Sequence, residues 1–550
     1  MISEKGNELD HDNDSLPSSL SAHKDQPGSK SRSRPSTATI LAFIALCLSI
    51  FLVALDTVLI PTALPYVSTS FRVSDSLYAW VGSAYLLANG ASVPFWGKLS
   101  DIFGRKPIIL SANTIFLAAS LMCALSKNAE MLVAGRVLQG LGGGGVIVMV
   151  HVCVSDLFDI RDRSYFLGIV GAVWAVASAL GPVLGGIFAE HISWRWCFYL
   201  NLPIISVSIL TLFFTLRLPS TRTPLLTGLV SMDWIGTGTI VAAAVFLLVG
   251  LQSGSTTSFV TPAVLTFIVL GCVLSIAFPF TQWWEEKRGR EPILPLRIFK
   301  DFSNLSALSV CACDALAFNS VAYFLPLYLQ IVLQQTASIT GVHMLAIAIP
   351  LATVSFVSGY IIEKTGRFLE VLQAGLLLMT VGVGLLVSLT AELETGKTIA
   401  ILIVIGLGFG PNFSAPLIAL QTRVRDSDIA TGTSAFGFVR MISGAIGVVV
   451  GQVVFQLLMG RQSDTFLKSG IPSNLVAQLT RGEATSLRFT LAALPNYQQR
   501  AATDGLGRAM RGTWVFYTVV SALGLVVSFG IKRTKLQRET ISINSEIEPI

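Results

Sequence analysis

The sequence predicts an all-α polytopic membrane protein, built as two six-helix bundles with two inserted helices. Three observations predict it. Of 550 residues, 52% are apolar and only 13% are charged, about half the charge content of a soluble chain. The apolar residues form fourteen continuous runs, each long enough to cross about 30 Å of hydrocarbon and unlike the short alternating segments of a membrane barrel. Finally, a charged, glycine-rich hinge, GKLSDIFGRK at 97–106, is echoed by GYIIEKTGRF at 359–368, as in membrane folds made of two parallel halves.

The elements follow in order. Residues 1–38 are polar and read as a disordered cytoplasmic tail; they hold no apolar run, so the first span is expected to direct its own insertion. Spans near 40–64, 77–96, 107–126, 131–154, 164–188 and 198–216 make a first bundle, 39–216. Spans near 232–251 and 262–284, with a cytoplasmic linker, fill 217–302. Spans near 303–333, 340–362, 371–390, 397–420, 431–459 and 512–531 make the second bundle, 303–531. An outer loop at 460–511 interrupts it, with leucines and phenylalanines spaced as in a helix lying on the membrane surface, and 532–550 is a second cytoplasmic tail. The hinge copies follow the second and tenth spans, eight apart, which is six helices, two inserted helices and six more.

Loop charge orients the bundle. Lys98, Arg105, Lys106, Arg161, Arg163, Lys287, Arg288, Arg290, Lys364 and Arg367 fall in one alternate set of loops, while the other short loops hold little beyond Arg72, Lys127, Arg195 and Lys397. The basic set, and with it both termini, is expected to be cytoplasmic. The net charge of +6 is then a matter of topology, and no nucleic-acid partner is read from it. All seven cysteines lie in or beside spans, where a thiol is a small apolar group, and no disulfide framework or metal site is indicated.

The hinge copies match in register: Gly97 with Gly359, Asp101 with Glu363, Gly104 with Gly366 and Arg105 with Arg367, whereas Lys106 faces Phe368. Glycines permit a tight turn and close backbone approach, and the acid can meet a helix N-terminus or the hinge's own bases. The pair reads as a conformational gate, against the alternative of plain topogenic loops.

Charges inside spans cost at least about 2.5–3.5 kcal/mol each on insertion scales. Asp56 and Arg136 lie at similar depth near the outer ends of spans 1 and 4, and Asp314 and Arg440 near the midplane of spans 9 and 13. Each pair either carries a proton or cargo, or is a static pair that fixes packing. Asn319, His343, Gln330 and Gln421 add polar groups nearby, His343 reading as merely hydrogen-bonded and the two glutamines as interfacial. Trp80, Tyr85, Trp174, Phe318, Tyr323, Phe324 and Tyr328 are candidate cavity aromatics.

GKLSDIFGRK resembles the signature loop of the major facilitator superfamily, and fourteen spans resemble its drug:proton antiporter branch, abundant in fungi. LDTVLIPTALP (55–65) is similar to the first-helix motif of that branch, and RVLQGLGGG (136–144), with Arg136 and Gln139, to its fourth-helix arginine motif. ALGPVLGG (179–186), with Gly181, Pro182, Gly185 and Gly186, is similar to the antiporter motif, and WRWCFYLNLP (194–203) to the segment after it. The resemblance implies the major facilitator fold and a non-enzymatic, proton-coupled exporter of drugs, toxins or secondary metabolites. It also implies small-molecule and proton partners, no cofactor, a monomer and a place in the plasma membrane. The sequence holds no GxxxxGK[ST] nucleotide loop. A vacuolar antiporter of basic amino acids and a non-transporting sensor are the alternatives.

Overall fold

The computed structural model describes residues 35–71, 75–218, 223–256, 259–390, 394–480 and 494–536. The N-terminal tail and the end of the C-terminal tail lie almost wholly outside them. Fourteen long helices cover the described chain: α1 (Thr37–Phe71), α2 (Asp75–Phe103), α3 (Arg105–Ala124), α4 (Ala129–Leu157), α5 (Ile160–Ile187), α6 (Asn201–Thr215), α7 (Trp234–Thr256), α8 (Pro262–Lys287), α9 (Phe302–Leu327), α10 (Ala337–Thr365), α11 (Phe368–Leu385), α12 (Thr395–Asn412), α13 (Ile429–Gly460) and α14 (Asn496–Ser528). Short helices extend several of them, including Trp196–Tyr199 before α6 and Ala415–Gln421 after α12.

Thirteen of the described helices are long and apolar enough to cross a membrane. The helix that falls short is α2, at the place of the second expected span. It is 29 residues long but carries Ser83, Asn89 and Ser92, all buried against its neighbours. A helix surrounded by other helices can hold such residues because their polar groups find partners inside the protein.

Local chemistry sets several helix ends. Asn128, Asp301 and Thr336 accept hydrogen bonds from the backbone N–H groups of Met131, Ser303 and Ile339, capping α4, α9 and α10, each cap being worth about 1 kcal/mol. At the hinges, Gly104 (φ 89°) separates α2 from α3 and Gly366 (φ 70°) ends α10, a backbone conformation that other residues adopt only under strain. Both repeats thus need their second glycine.

In the first group α2 and α3 pack on α4, and α1 on α5 and α6; in the second, α9 packs on α13 and α14, and α12 on α10 and α11. The groups meet along two seams, α2–α13 and α5–α10, with α4 also reaching α13. The inserted α7 and α8 pack on each other, and α7 lies against both α2 and α13.

One expectation is corrected. The outer segment 460–511 is not a loop with a surface helix before a short last span: α14 begins at Asn496, well ahead of 512. Small residues in its early turns, Ala502, Gly505 and Ala509, bury that extension, and Gly505 receives the ring of Phe466 from the short helix Ser463–Lys468. Packing of this kind leaves no long apolar run, so hydropathy misses it. Residues 481–493 lie outside the described chain.

After α14 the chain turns back across the second hinge. Lys532 N–H donates to Ser303 Oγ (3.1 Å), Arg533 pairs with Glu370, and Leu536 N–H donates to Gly366 O (3.1 Å). Leu536 is buried.

Candidate functional site

Asp56 and Arg136 are in direct contact, and each side chain is only 1% exposed. The surrounding helices complete the site. Arg136 Nη1 also donates to Gln139 Oε1 (2.7 Å), and Arg136 Nε to Val81 O (3.3 Å). Gln139 Nε2 donates to Ser120 Oγ (2.9 Å), and Asn201 Nδ2 reaches both Ser120 Oγ (3.3 Å) and Asp56 Oδ1 (3.4 Å). The Tyr85 ring lies 4.3 Å from the guanidinium carbon and Phe198 closes the other side at 5.9 Å. Five helices of the first group therefore converge on one charge pair that is sealed from solvent. A buried pair with its remaining hydrogen bonds satisfied is tolerated where an isolated charge is not.

Asp314 and Arg440 pair more loosely, Nη2 to Oδ2 at 3.8 Å, with side chains 3% and 17% exposed. Asp314 Oδ1 has no hydrogen-bond partner among the described residues. Arg440 Nη1 donates to Phe413 O (3.1 Å), and its guanidinium stacks on the Phe413 ring at 4.0 Å. Phe413 touches Trp174 of α5, ring centroids 6.2 Å apart, and Arg440 also acts electrostatically on His151 of α4. This pair thus stands where both halves meet. Asn319 does not join it: its amide donates to Ala315 O (3.0 Å), one turn back along α9.

The hinge end is closed by bonds between the halves. Asp101 accepts from Arg105 Nη1 (2.8 Å) on one oxygen and from Thr431 Oγ1 at the start of α13 (2.8 Å) on the other. Arg105 also pairs with Asp156 of α4 (2.8 Å). Gly97 lies against Ser434, so a Cβ there would stand 2.6 Å from Ser434 Cβ. Across the other seam Arg161 donates to the last carbonyls of α10, Glu363 O and Lys364 O, favourable for a cation at a helix C-terminus. Between them Arg163 donates to Gln421 Oε1 (3.0 Å), while Gln421 Nε2 donates to Ser155 Oγ and Thr433 Oγ1 (both 2.9 Å). Gly168 and Gly359 bring α5 and α10 together, each Cβ position within 3.2 Å of the other's Cα.

Some expected gate residues act elsewhere. Lys106 bonds Phe213 O (2.7 Å) within its own half and lies over that ring, so it takes no part in the contact between halves. Arg367 is exposed, and its backbone N–H meets Thr365 Oγ1 (3.2 Å); it does not reproduce the Arg105 pairing, because the tail passes over this hinge. In the glycine-rich helix, Gly181 abuts Val58 of α1, and Gly185 is buried, but nothing lies within 4 Å of a Cβ at Gly186; the Pro182 side chain lies outside the described residues. Tyr85, Phe324 and Tyr328 are packed rather than cavity-lining. His343 Nδ1 bonds Ile339 O (3.0 Å), one turn back in its own helix, in keeping with its reading as merely hydrogen-bonded.

Sequence reasoning missed His151, Phe413 and Asn201, and read Arg161, Arg163 and Gln421 only as loop or interface groups. His151 stands among apolar residues in the last two turns of a span, which was a usable signal; Asn201, Arg161 and Arg163 are defined by partners more than 100 residues away.

The sequence profile described as Major Facilitator Superfamily matches residues 46–227 and 217–448. The chain is 41% identical over 504 residues to "Efflux pump dotC" of Dothistroma septosporum, covering 92% of this chain and 86% of that protein. It is 40% identical to "MFS-type transporter ppz2" of Metarhizium majus, covering 90% and 85%, and 32% identical to "Efflux pump FUS6" of Gibberella moniliformis, covering 92% and 90%. Among solved structures, the human organic anion transporter MFSD10 superposes with a TM-score of 0.55 at 14% identity, covering 89% of this chain and 98% of that one. The proton:xylose symporter XylE gives 0.54 at 13%, covering 86% and 99%.

Proposed function

Since the chain belongs to the major facilitator superfamily, a multi-pass membrane family, we propose that it is a proton-coupled exporter of small, largely apolar molecules. It works by alternating access in the plasma membrane, with both termini in the cytoplasm and the proton gradient as its energy source. The export direction is supported by relatives that are named efflux pumps.

The observation that carries proton coupling is the Asp314–Arg440 pair between the halves, at 3.8 Å with one carboxylate oxygen unpartnered. A carboxylate held this loosely can take up a proton without breaking a strong bond, which frees Arg440 for cargo; reloading the cation releases it. The sealed Asp56–Arg136 pair holds its half rigid in this conformation and becomes a second proton site only when the helices around it part. The partly buried cation at the centre is Arg440, which disfavours basic amino acids as cargo and with them the vacuolar reading.

The hinge end is the cytoplasmic gate, closed here. Gly97→Val should overpack it against Ser434 at a cost of about 1–3 kcal/mol, lowering transport about tenfold while surface expression holds. Normal transport by this variant would reduce the hinge to a topological marker. Gln421→Leu is expected to remove one bond each from Arg163, Ser155 and Thr433 and to increase the inward-open population, read as faster maleimide labelling of an introduced Thr433→Cys.

The defining experiment uses purified protein in liposomes with an internal pH dye. Lipophilic aromatic dyes should trigger proton movement, whereas lysine, arginine and histidine should not. Response to the amino acids alone would overturn the proposal in favour of the vacuolar reading, and silence to both panels would overturn proton-coupled export.

A further inference from the structure

The chain between α8 and α9, residues 288–300, crosses the closed hinge end. Its course is fixed from the inserted pair. Asp233, buried just ahead of α7, accepts from Gly236 N (2.6 Å), Gln282 Nε2 (3.0 Å) and Ile293 N (3.3 Å), while Gln282 Oε1 accepts from Leu294 N (2.9 Å). Held by these bonds, Ile293 and Leu294 join Ile240 of α7 and Ala435 of α13 in one buried apolar cluster. Ala435 follows Ser434, the residue that faces Gly97. The middle of the segment therefore rests on the turn of α13 against which the gate closes.

Its two ends reach opposite halves. Glu291 pairs with Lys98 of α2, inside the first hinge, at 3.0 Å. The Lys98 side chain is 6% exposed and makes no other hydrogen bond among the described residues, whereas Glu291 is 85% exposed. Farther on, Arg297 grips Asp428, just ahead of α13, with bonds of 2.8 and 2.7 Å, the strong two-pronged kind. Asp428 is 8% exposed. Neighbouring bonds fasten the same end to the second half: Asn304 Nδ2 donates to Ile298 O (3.1 Å), and Arg423 pairs with Asp301 (3.4 Å). One end is a single bond to a solvated carboxylate, the other a buried fork with supports.

We propose that residues 288–300 are a strap across the cytoplasmic gate and that Glu291 is its catch, a positioning residue that ties Lys98 of the first half to a segment anchored on the second and lets go first when α2 and α13 part. The inserted helices then have a task that two plain bundles lack, because they supply the base from which the strap hangs. This rests on the alternating-access reading for the movement of the gate and on nothing about cargo or protons. Release at Glu291 gives up one hydrogen bond and opens Lys98 to water. Release at Asp428 would break two bonds and strand a buried carboxylate, so the Glu291 end is the one that yields.

The test uses the full chain in lipid nanodiscs with Ser434→Cys as the reporter and the exposed Cys272 replaced by Ser. Ser434 is buried and its hydroxyl donates to Ala430 O of its own helix (2.9 Å), so the rate of maleimide labelling reads the opening of the gate. Glu291→Gln should raise that rate about fivefold, the upper scale of a partly exposed ion pair, and Glu291→Asp, which keeps the charge, should stay within about twofold of the parent. An unchanged rate in Glu291→Gln overturns the strap.

A strap fails at either end, which two independent surface pairs do not. Arg297→Gln should therefore raise the rate at least as much, and adding Glu291→Gln to it should change the rate by less than about twofold, whereas independent pairs would multiply their effects. Multiplied effects overturn the strap. Gln421→Leu loosens the gate without touching residues 288–300 and serves as the control. A rise there with none in Glu291→Gln removes the strap alone, while no rise in either removes with it the closed gate on which the proposed function depends.

Discussion

Arg136→Ala is expected to destabilise the protein by about 3–5 kcal/mol, the cost of stranding one partner of a buried ion pair. Asp56 is 1% exposed, and after the loss of Arg136 its remaining contact is the Asn201 amide at 3.4 Å, too little for a sealed carboxylate. The measurement is thermal unfolding in detergent, with surface expression beside it. Asp56→Asn with Arg136→Gln removes both charges and keeps groups that can hydrogen-bond to Asn201 and Gln139, so it should recover most of the lost stability. An Arg136→Ala protein as stable as the parent would mean that water reaches this pair and that it is not sealed.

Asp314→Asn should act differently, leaving the fold intact and removing transport driven by a pH gradient by about a hundredfold, the scale on which losing one proton-transfer group acts. The pair it disrupts is already long, 3.8 Å, and Arg440 keeps both the Phe413 carbonyl and its ring; the loss of one weak contact should move the melting temperature little. Counterflow of dye without a pH gradient should survive, because in the proposed function the carboxylate carries the proton and Arg440 meets the cargo. Retained uphill transport would exclude Asp314 as the proton carrier and direct attention to Asp56.

Much of this was legible because a bilayer constrains sequence so strongly. Apolar runs and loop charge gave the helices, and depth along spans 1 and 4 brought Asp56 to Arg136 before any coordinates. The hinge spacing marked Asp101 and Arg105, which indeed pair. What depth cannot supply is rotation about the helix axis. Lys106 has the same spacing as its neighbours yet turns to Phe213, and Asn319, five residues from Asp314, turns back to its own helix. Partner identity is likewise invisible where it spans the two halves, as for Gln421, whose role is set by Ser155 and Arg163. The second hinge differs from the first for a reason outside its own ten residues: the tail lies over it.

That tail bears on how the protein can be observed in a living cell. A fluorescent domain fused after Ile550 hangs from a segment whose Leu536 is buried against the second hinge, so its anchor is the hinge itself and not the end of the last helix. A fusion made before Leu536 would strip the hinge of that contact, so the site of attachment decides whether such a reporter leaves the second hinge intact or disturbs it.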